Sequence, residues 1–189
     1  MKKFYALLFC IAMFSGLFAG TIQKEYSFSS PKVSINNTYQ TISFEGCMLT
    51  SPTGEPILPY YPVKLLLPPG EIATKIEFVG ENEIVMEGNY KLYPSQPSRP
   101  ISKDPEGKFY KKEDVYSSDN SYPAKHTGGL STSYLNGYGF ALSTFSPIKY
   151  NPLTGKISYF TKVKIIITTT SAKSSEEDLK ILSSRKTVI

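Results

Sequence analysis

The stretch GYGFALSTFSPIKYNPLTGKISYFTKVKIIITTT, Gly137 to Thr170, decides the fold. Phe140, Leu142 and Thr144 alternate with Ala141 and Ser143, the period of two that a pleated strand imposes. Asn151-Pro152-Leu153-Thr154-Gly155 then reads as a turn, because proline presets φ and glycine reaches the positive φ that closes it. On the return strand Ile157, Tyr159, Val163, Ile165 and Ile167 share one face, while Lys156, Ser158, Lys162 and Lys164 share the other with Phe160 and Ile166. One face is core and the other mostly solvent, the signature of a half-buried antiparallel sheet.

The same pattern extends towards the N-terminus. KVSINNTYQTISFEG reads as strand, Asn-Asn turn and strand, with Ile42 and Phe44 on one face. In IATKIEFVGENEIVMEGNYKLYP, Ile72, Thr74, Ile76 and Phe78 face one way and Lys75 and Glu77 the other; Gly80 to Asn82 is expected to turn the chain into a second strand through Val85. GEPILPYYPVKLLLPPG, Gly54 to Gly70, is a strand over Val63 to Leu67 bracketed by prolines: Pro56, Pro59 and Pro62 hold the approach extended and blunt an edge, and Pro68, Pro69 and Gly70 end it. Several short strands separated by turns, with no βαβ rhythm, define an all-β, antiparallel β-sandwich of jelly-roll or Greek-key-like type. Between the strand pairs, Tyr93 to Gly129 is a long segment rich in Pro, Ser, Lys and Tyr with no apolar period.

The ends differ from this body. MKKFYALLFCIAMFSGLFAG has a basic start, an apolar run and small residues, which makes residues 1–20 a secretory signal peptide and leaves no stable membrane span afterwards. Residues 21–170 form one domain, and 171–189 a polar linker in which Ser174 or Ser175 caps a short helix through Leu182. Without Lys2 and Lys3 the formal charge falls from +5 to +3, which is no nucleic-acid footprint. Outside the leader Cys47 is the one cysteine, so no internal disulfide staples the domain.

Chemistry is sparse. His126 is the one histidine, and a thiolate-imidazolium pair with Cys47 has no local sequence support. Two such residues are too few for a zinc site, and no Gly-rich phosphate loop is present. Glu81 and Glu83, the Lys111-Lys112-Glu113-Asp114 patch and Glu176-Glu177-Asp178 offer no acid/base pair; Asp104, Asp114 and Asp119 are a weak set for calcium. No catalytic residue, metal or cofactor is expected. Tyr110, Tyr116, Tyr122 and Tyr134 could present faces to a sugar, or equally cover a loop and the sheet edge beneath it.

Gly54, Pro56, Leu58 and Pro59, followed by Pro68-Pro69-Gly70, resemble the Gly-x-Pro-x-Leu-Pro segment of gingipain-type cysteine peptidase propeptides. Pro147, Tyr150, Asn151, Pro152 and Gly155 resemble that family's closing hairpin, and SYPAKHTGG its intervening Tyr-Pro loop. The resemblance implies an exported bacterial β-sandwich prodomain, found in the periplasm, at the cell surface or outside the cell. Its partner would be a caspase-like cysteine peptidase domain, in cis or in trans, whose folding it assists and whose active site it blocks. Since such peptidases commonly choose a basic side chain before the scissile bond, it also implies an inhibitory residue, Lys125 first, with Lys111, Lys112 and Arg99 as alternatives on the same excursion. Arg185-Lys186 is the corresponding processing step. No catalytic Cys/His domain is present, so the chain is expected to be a fragment of a longer zymogen, a truncated reading frame or a free-standing inhibitor. The competing expectation is a free-standing extracellular sandwich that binds glycan or protein.

Overall fold

A computed structural model describes residues 20–98 and 108–172. Its strands are β1 (Gly20–Ser27), β2 (Lys32–Asn36), β3 (Tyr39–Ser43), β4 (Met48–Thr50), β5 (Leu58–Leu66), β6 (Glu71–Val85), β7 (Ser131–Leu135), β8 (Tyr138–Phe145), β9 (Ile148–Tyr150) and β10 (Ile157–Ser171). A four-residue helix, α1 (Glu113–Tyr116), precedes β7. Residues 1–19 of the expected leader, the capped helix in the tail, and Arg99, Asp104, Arg185 and Lys186 lie outside the described residues, while Gly20, its last residue, opens β1.

All strand pairs are antiparallel, in two four-stranded sheets and the separate β2–β3 hairpin. β10 is the spine of the first sheet. Its Ile167 stands between Ile22 of β1 and Ile76 of β6, and its Ser158 between Lys149 of β9 and Val85 of β6. The second sheet runs β4-β5-β8-β7. Val163, Ile165 and Ile167 are fully buried, each contributing about 1.5–3 kcal/mol by removal from water. Phe145 of β8 is the point where the sheets meet, its ring 5.0 to 5.9 Å from those of Tyr26, Phe28, Tyr61 and Phe78. The expected antiparallel sandwich is therefore the observed fold.

Several local expectations change. Gly80 to Asn82 does not reverse the chain: β6 continues through it, because β10 is long enough to pair with the whole of Glu71 to Val85. Gly80 serves packing there, since a Cβ would stand 2.6 Å from the Phe160 ring, and Asn82 takes φ 53° within the strand. Thr74 leaves the inner face at a bulge opposite Thr168 and Thr169.

β8 and the closing hairpin are likewise not consecutive strands of one sheet. Ser146-Pro147 carries the chain from the second sheet to the first, and the Asn151–Gly155 turn joins β9 to β10. On β8 it is Gly139, Ala141 and Ser143 that face inwards, while Phe140 is half-buried outside beneath the Lys64 ammonium, 4.5 Å from its ring centre. Asn136 and Gly137, at φ 51° and 74°, form the two-residue turn of the β7–β8 hairpin.

Finally, β5 begins at Leu58, so Pro59 and Pro62 lie inside the strand rather than before it. β4 lines Leu58 to Tyr60 and β8 lines Tyr61 to Leu66. Each half of β5 thus keeps one flank without a strand partner in its sheet, where a missing N–H costs no ladder bond.

Candidate functional site

The segment after β6 is fastened to the sandwich at both limbs. Tyr122 exchanges two backbone hydrogen bonds with Tyr150, its N–H donating at 2.7 Å and its carbonyl accepting at 2.8 Å. Beyond the tip, the Ser146 N–H donates to the His126 carbonyl and the Gly128 N–H to the Thr144 carbonyl, both at 2.8 Å. Between these anchors the Tyr122-Pro123 bond is cis and Pro123 is buried, while Ala124 and Lys125 are exposed. The sequence SYPAKHTGG therefore builds a short tip standing on the corner where β8 passes into β9.

Two segments far apart in sequence hold this excursion. Gly54, at φ 84°, accepts from the Lys112 N–H at 2.9 Å and donates to the Ser95 carbonyl at 2.7 Å. Glu55 accepts from Lys112 Nζ at 2.7 Å and from Tyr122 Oη at 2.8 Å. Pro56, Leu58 and Pro59 are buried just beyond. On the other side, Asn151 Nδ2 donates to Asp119 Oδ1 at 2.8 Å while its Oδ1 caps the turn by accepting from Thr154 N–H. Pro147, Tyr150, Pro152 and Gly155 are buried. Of these motif positions, Gly54, Tyr150 and Asn151 fasten the loop by hydrogen bonds, and the rest are buried in the fold.

Lys125 makes no ion pair with any described residue, whereas the other described lysine candidates are engaged. Lys111 pairs with Glu113 at 2.7 Å and lies over the Tyr116 ring; Lys112 is held by Glu55. The four tyrosines do not form a platform. Tyr116 is buried, its hydroxyl donating to the Leu92 carbonyl, and the Tyr122 hydroxyl is tied to Glu55, leaving the exposed rings of Tyr110 and Tyr134. Among the described residues no group of three or more His, Cys, Asp or Glu side chains could hold a metal ion, and the Asp119 carboxylate is bound to Asn151.

The thiol and imidazole do not make a dyad. Cys47 packs against the core, and burial pushes its pKa up to about 11, the reverse of an activated nucleophile. His126 instead stacks on Phe78, 4.4 Å between ring centres and 9° from parallel, with Phe160 at its edge. Its Nδ1 donates to the Ser146 carbonyl at 2.9 Å. Sequence reasoning missed both this inward role and the part played by Glu55; the aromatic partners of His126 come from β6 and β10, far along the chain.

His126 yields a pH prediction. Burial is the largest influence and lowers its pKa from 6.5; nearby Lys149 lowers it further, while the Ser146 carbonyl and Glu83 oppose the shift. Between 6.5 and the lowered value the unfolded chain binds a proton that the fold refuses, so stability falls as pH drops through that window. Urea midpoints measured at stepped pH should show this loss in the native sequence and not in His126→Phe. An identical pH slope in both proteins contradicts the assignment.

The described residues form a β-sandwich with an exposed Tyr-Pro loop hydrogen-bonded to it at both limbs. The chain belongs to the gingipain-type propeptide family, whose Propeptide_C25 model matches residues 23–189. It is an N-terminal prodomain of the gingipain-like cysteine endopeptidases and carries no catalytic machinery of its own. Its fold is similar to a solved structure described as a structural insight into the zymogenic latency of gingipain K from Porphyromonas gingivalis. That match has 21% identity and TM-score 0.67, and covers 83% of this chain and 90% of the other. It is also similar to a chain from the complex of Porphyromonas gingivalis RgpB pro- and mature domains, with 18% identity and TM-score 0.63, covering 82% and 81%. No curated protein matches the chain significantly. Among the described residues no helix is long and apolar enough to cross a membrane.

Proposed function

We propose that this prodomain keeps a caspase-like cysteine peptidase domain latent by laying the Tyr-Pro tip across its active-site cleft, with Lys125 in the pocket for the residue before the scissile bond. The supporting observation is the exposed lysine on a tip whose two limbs are hydrogen-bonded to β8 and β9. A pre-ordered loop loses little conformational freedom on docking, so more of its contact energy appears as affinity. An ammonium entering an acidic pocket replaces its water with charge-assisted hydrogen bonds. The same contact surface would help the peptidase domain to fold, and Arg185-Lys186 would be the step at which the two are separated. The zymogen acts after export, at the cell surface or beyond, as the gingipain relationship implies. The glycan-binding alternative lost its main support when Tyr116 and Tyr122 proved to be tied into the fold.

The test is inhibition of a gingipain-like peptidase domain by the purified prodomain. Lys125→Ala should raise the inhibition constant about 30-fold or more, as expected for a central interface residue. Lys111→Ala should change it less than about threefold, in keeping with a solvent-screened ion pair. Unchanged inhibition by Lys125→Ala rules out the loop as the occluding element.

A further inference from the structure

We infer that Glu55 is the positioning residue of the inhibitory tip, fastening two points of the chain that leads into it, Lys112 and Tyr122, to one point of the sandwich. This rests on the reading of the Lys125 loop as the occluding element. Lys112 stands just before α1 and Tyr122 closes the segment that follows it, three residues before Lys125. Glu55 joins them: Oε1 accepts from Lys112 Nζ at 2.7 Å and Oε2 from Tyr122 Oη at 2.8 Å. Its side chain is 18% exposed and its bond to Tyr122 is part-buried, whereas the Lys112 side chain is 47% exposed and that bond is open to water.

A carboxylate can position other groups only if it is itself fixed, and the backbone here supplies that. The Glu55 N–H donates to the Pro52 carbonyl at 3.0 Å, and its own carbonyl accepts from Ser95 at 2.8 Å. Gly54 brings the Lys112 backbone close. A Cβ at Gly54 would stand 3.1 Å from Lys112 Cγ and 3.2 Å from Lys112 N, in a residue already at φ 84°. The Gly54-Glu55-Pro56 segment is thereby a clasp: glycine permits the approach, the acid takes hold, and proline stiffens the chain behind it. On the Tyr122 side the lever is direct, because its backbone pairs with Tyr150 while its hydroxyl meets Glu55. Holding the residue at both ends fixes where the next three residues begin.

A positioning role predicts coupling to Lys125. Glu55→Gln and Tyr122→Phe should each raise the inhibition constant about 10-fold, the scale of losing the one part-buried charge-assisted bond, Tyr122 to Glu55. In a Lys125→Ala background the same changes should add almost nothing, since a residue acting through another loses its effect when that other is gone. The loosened tip should also be cut after Lys125 faster by the bound peptidase, with the urea midpoint of the prodomain little changed. Full weakening by Lys125→Ala together with native inhibition by Glu55→Gln would overturn the Glu55 proposal and leave the loop reading intact. Additive effects, or weakening matched by global destabilisation without faster loop cleavage, would overturn it as well. Native inhibition by Lys125→Ala would instead remove the reading on which it rests.

Discussion

Truncation of Phe145 to alanine is expected to destabilise the domain by about 3–5 kcal/mol, the range for a large aromatic ring removed from a closed core. Phe145 is fully buried, and the rings around it come from β1, the segment after β1, β5 and β6. Tyr26, Tyr61 and Phe78 sit on paired strands whose backbones limit how far they can move into the space, so a cavity persists. The domain as a whole has only about 5–15 kcal/mol to lose. The denaturant midpoint should therefore fall sharply, whereas Phe145→Leu should retain more than half of the native stability. A Phe145→Ala protein with a native midpoint would mean that the sheets are not held together at this point.

Gly155→Val is expected to have the second-largest effect. Gly155 sits at φ 71°, where a side chain costs about 1–2 kcal/mol through its clash with the backbone. A Cβ there would also lie 2.8 Å from both the N and the O of Tyr90, whose N–H donates to the Gly155 carbonyl. Displacing that backbone adds about 1–3 kcal/mol of overpacking. Gly70→Ala separates the two contributions: its φ is 77° but nothing lies within 4 Å of the added carbon, so it pays the conformational cost alone. Urea unfolding of the two variants should differ by the packing contribution. Equal midpoints would show that the approach of Tyr90 to Gly155 carries no energy.

Features set by neighbours in sequence were legible, and those set by distant partners were not. The alternation of most of β10, the β2–β3 hairpin and the Pro-Gly end of β5 each depend on a few adjacent residues and were legible, although Phe160 is buried rather than exposed and the hairpin turns at Asn37-Thr38 rather than Asn36-Asn37. Gly80-Glu81-Asn82 has the composition of a turn, and only β10 lying alongside makes it a strand. The period of β8 likewise gives the alternation but not the sheet to which it belongs. Asn136-Gly137 was a strong hairpin signal in plain view, and it places β7. The site divides in the same way: the exposure of a Tyr-Pro tip follows from its composition, but Glu55 and Tyr122 are 67 positions apart. Nothing near either residue advertises the other.

The place of β10 at the centre of its sheet sets the order in which this domain can come into being. Among the described strands β1 is made first and its partner last, so β1 waits with an open edge until the rest of the domain has been made. β6 waits for the same partner, and no shorter portion of the chain owns a complete first sheet. Closing such distant pairings costs loop entropy before any contact rewards it, which makes folding slow and cooperative. The braced tip is finished by the same event, because Tyr150 receives Tyr122 on β9, and β9 is held in its sheet by β10. A domain built this way has no half-made form with a braced tip: the tip is set at a single moment, when the last strand of the sandwich arrives.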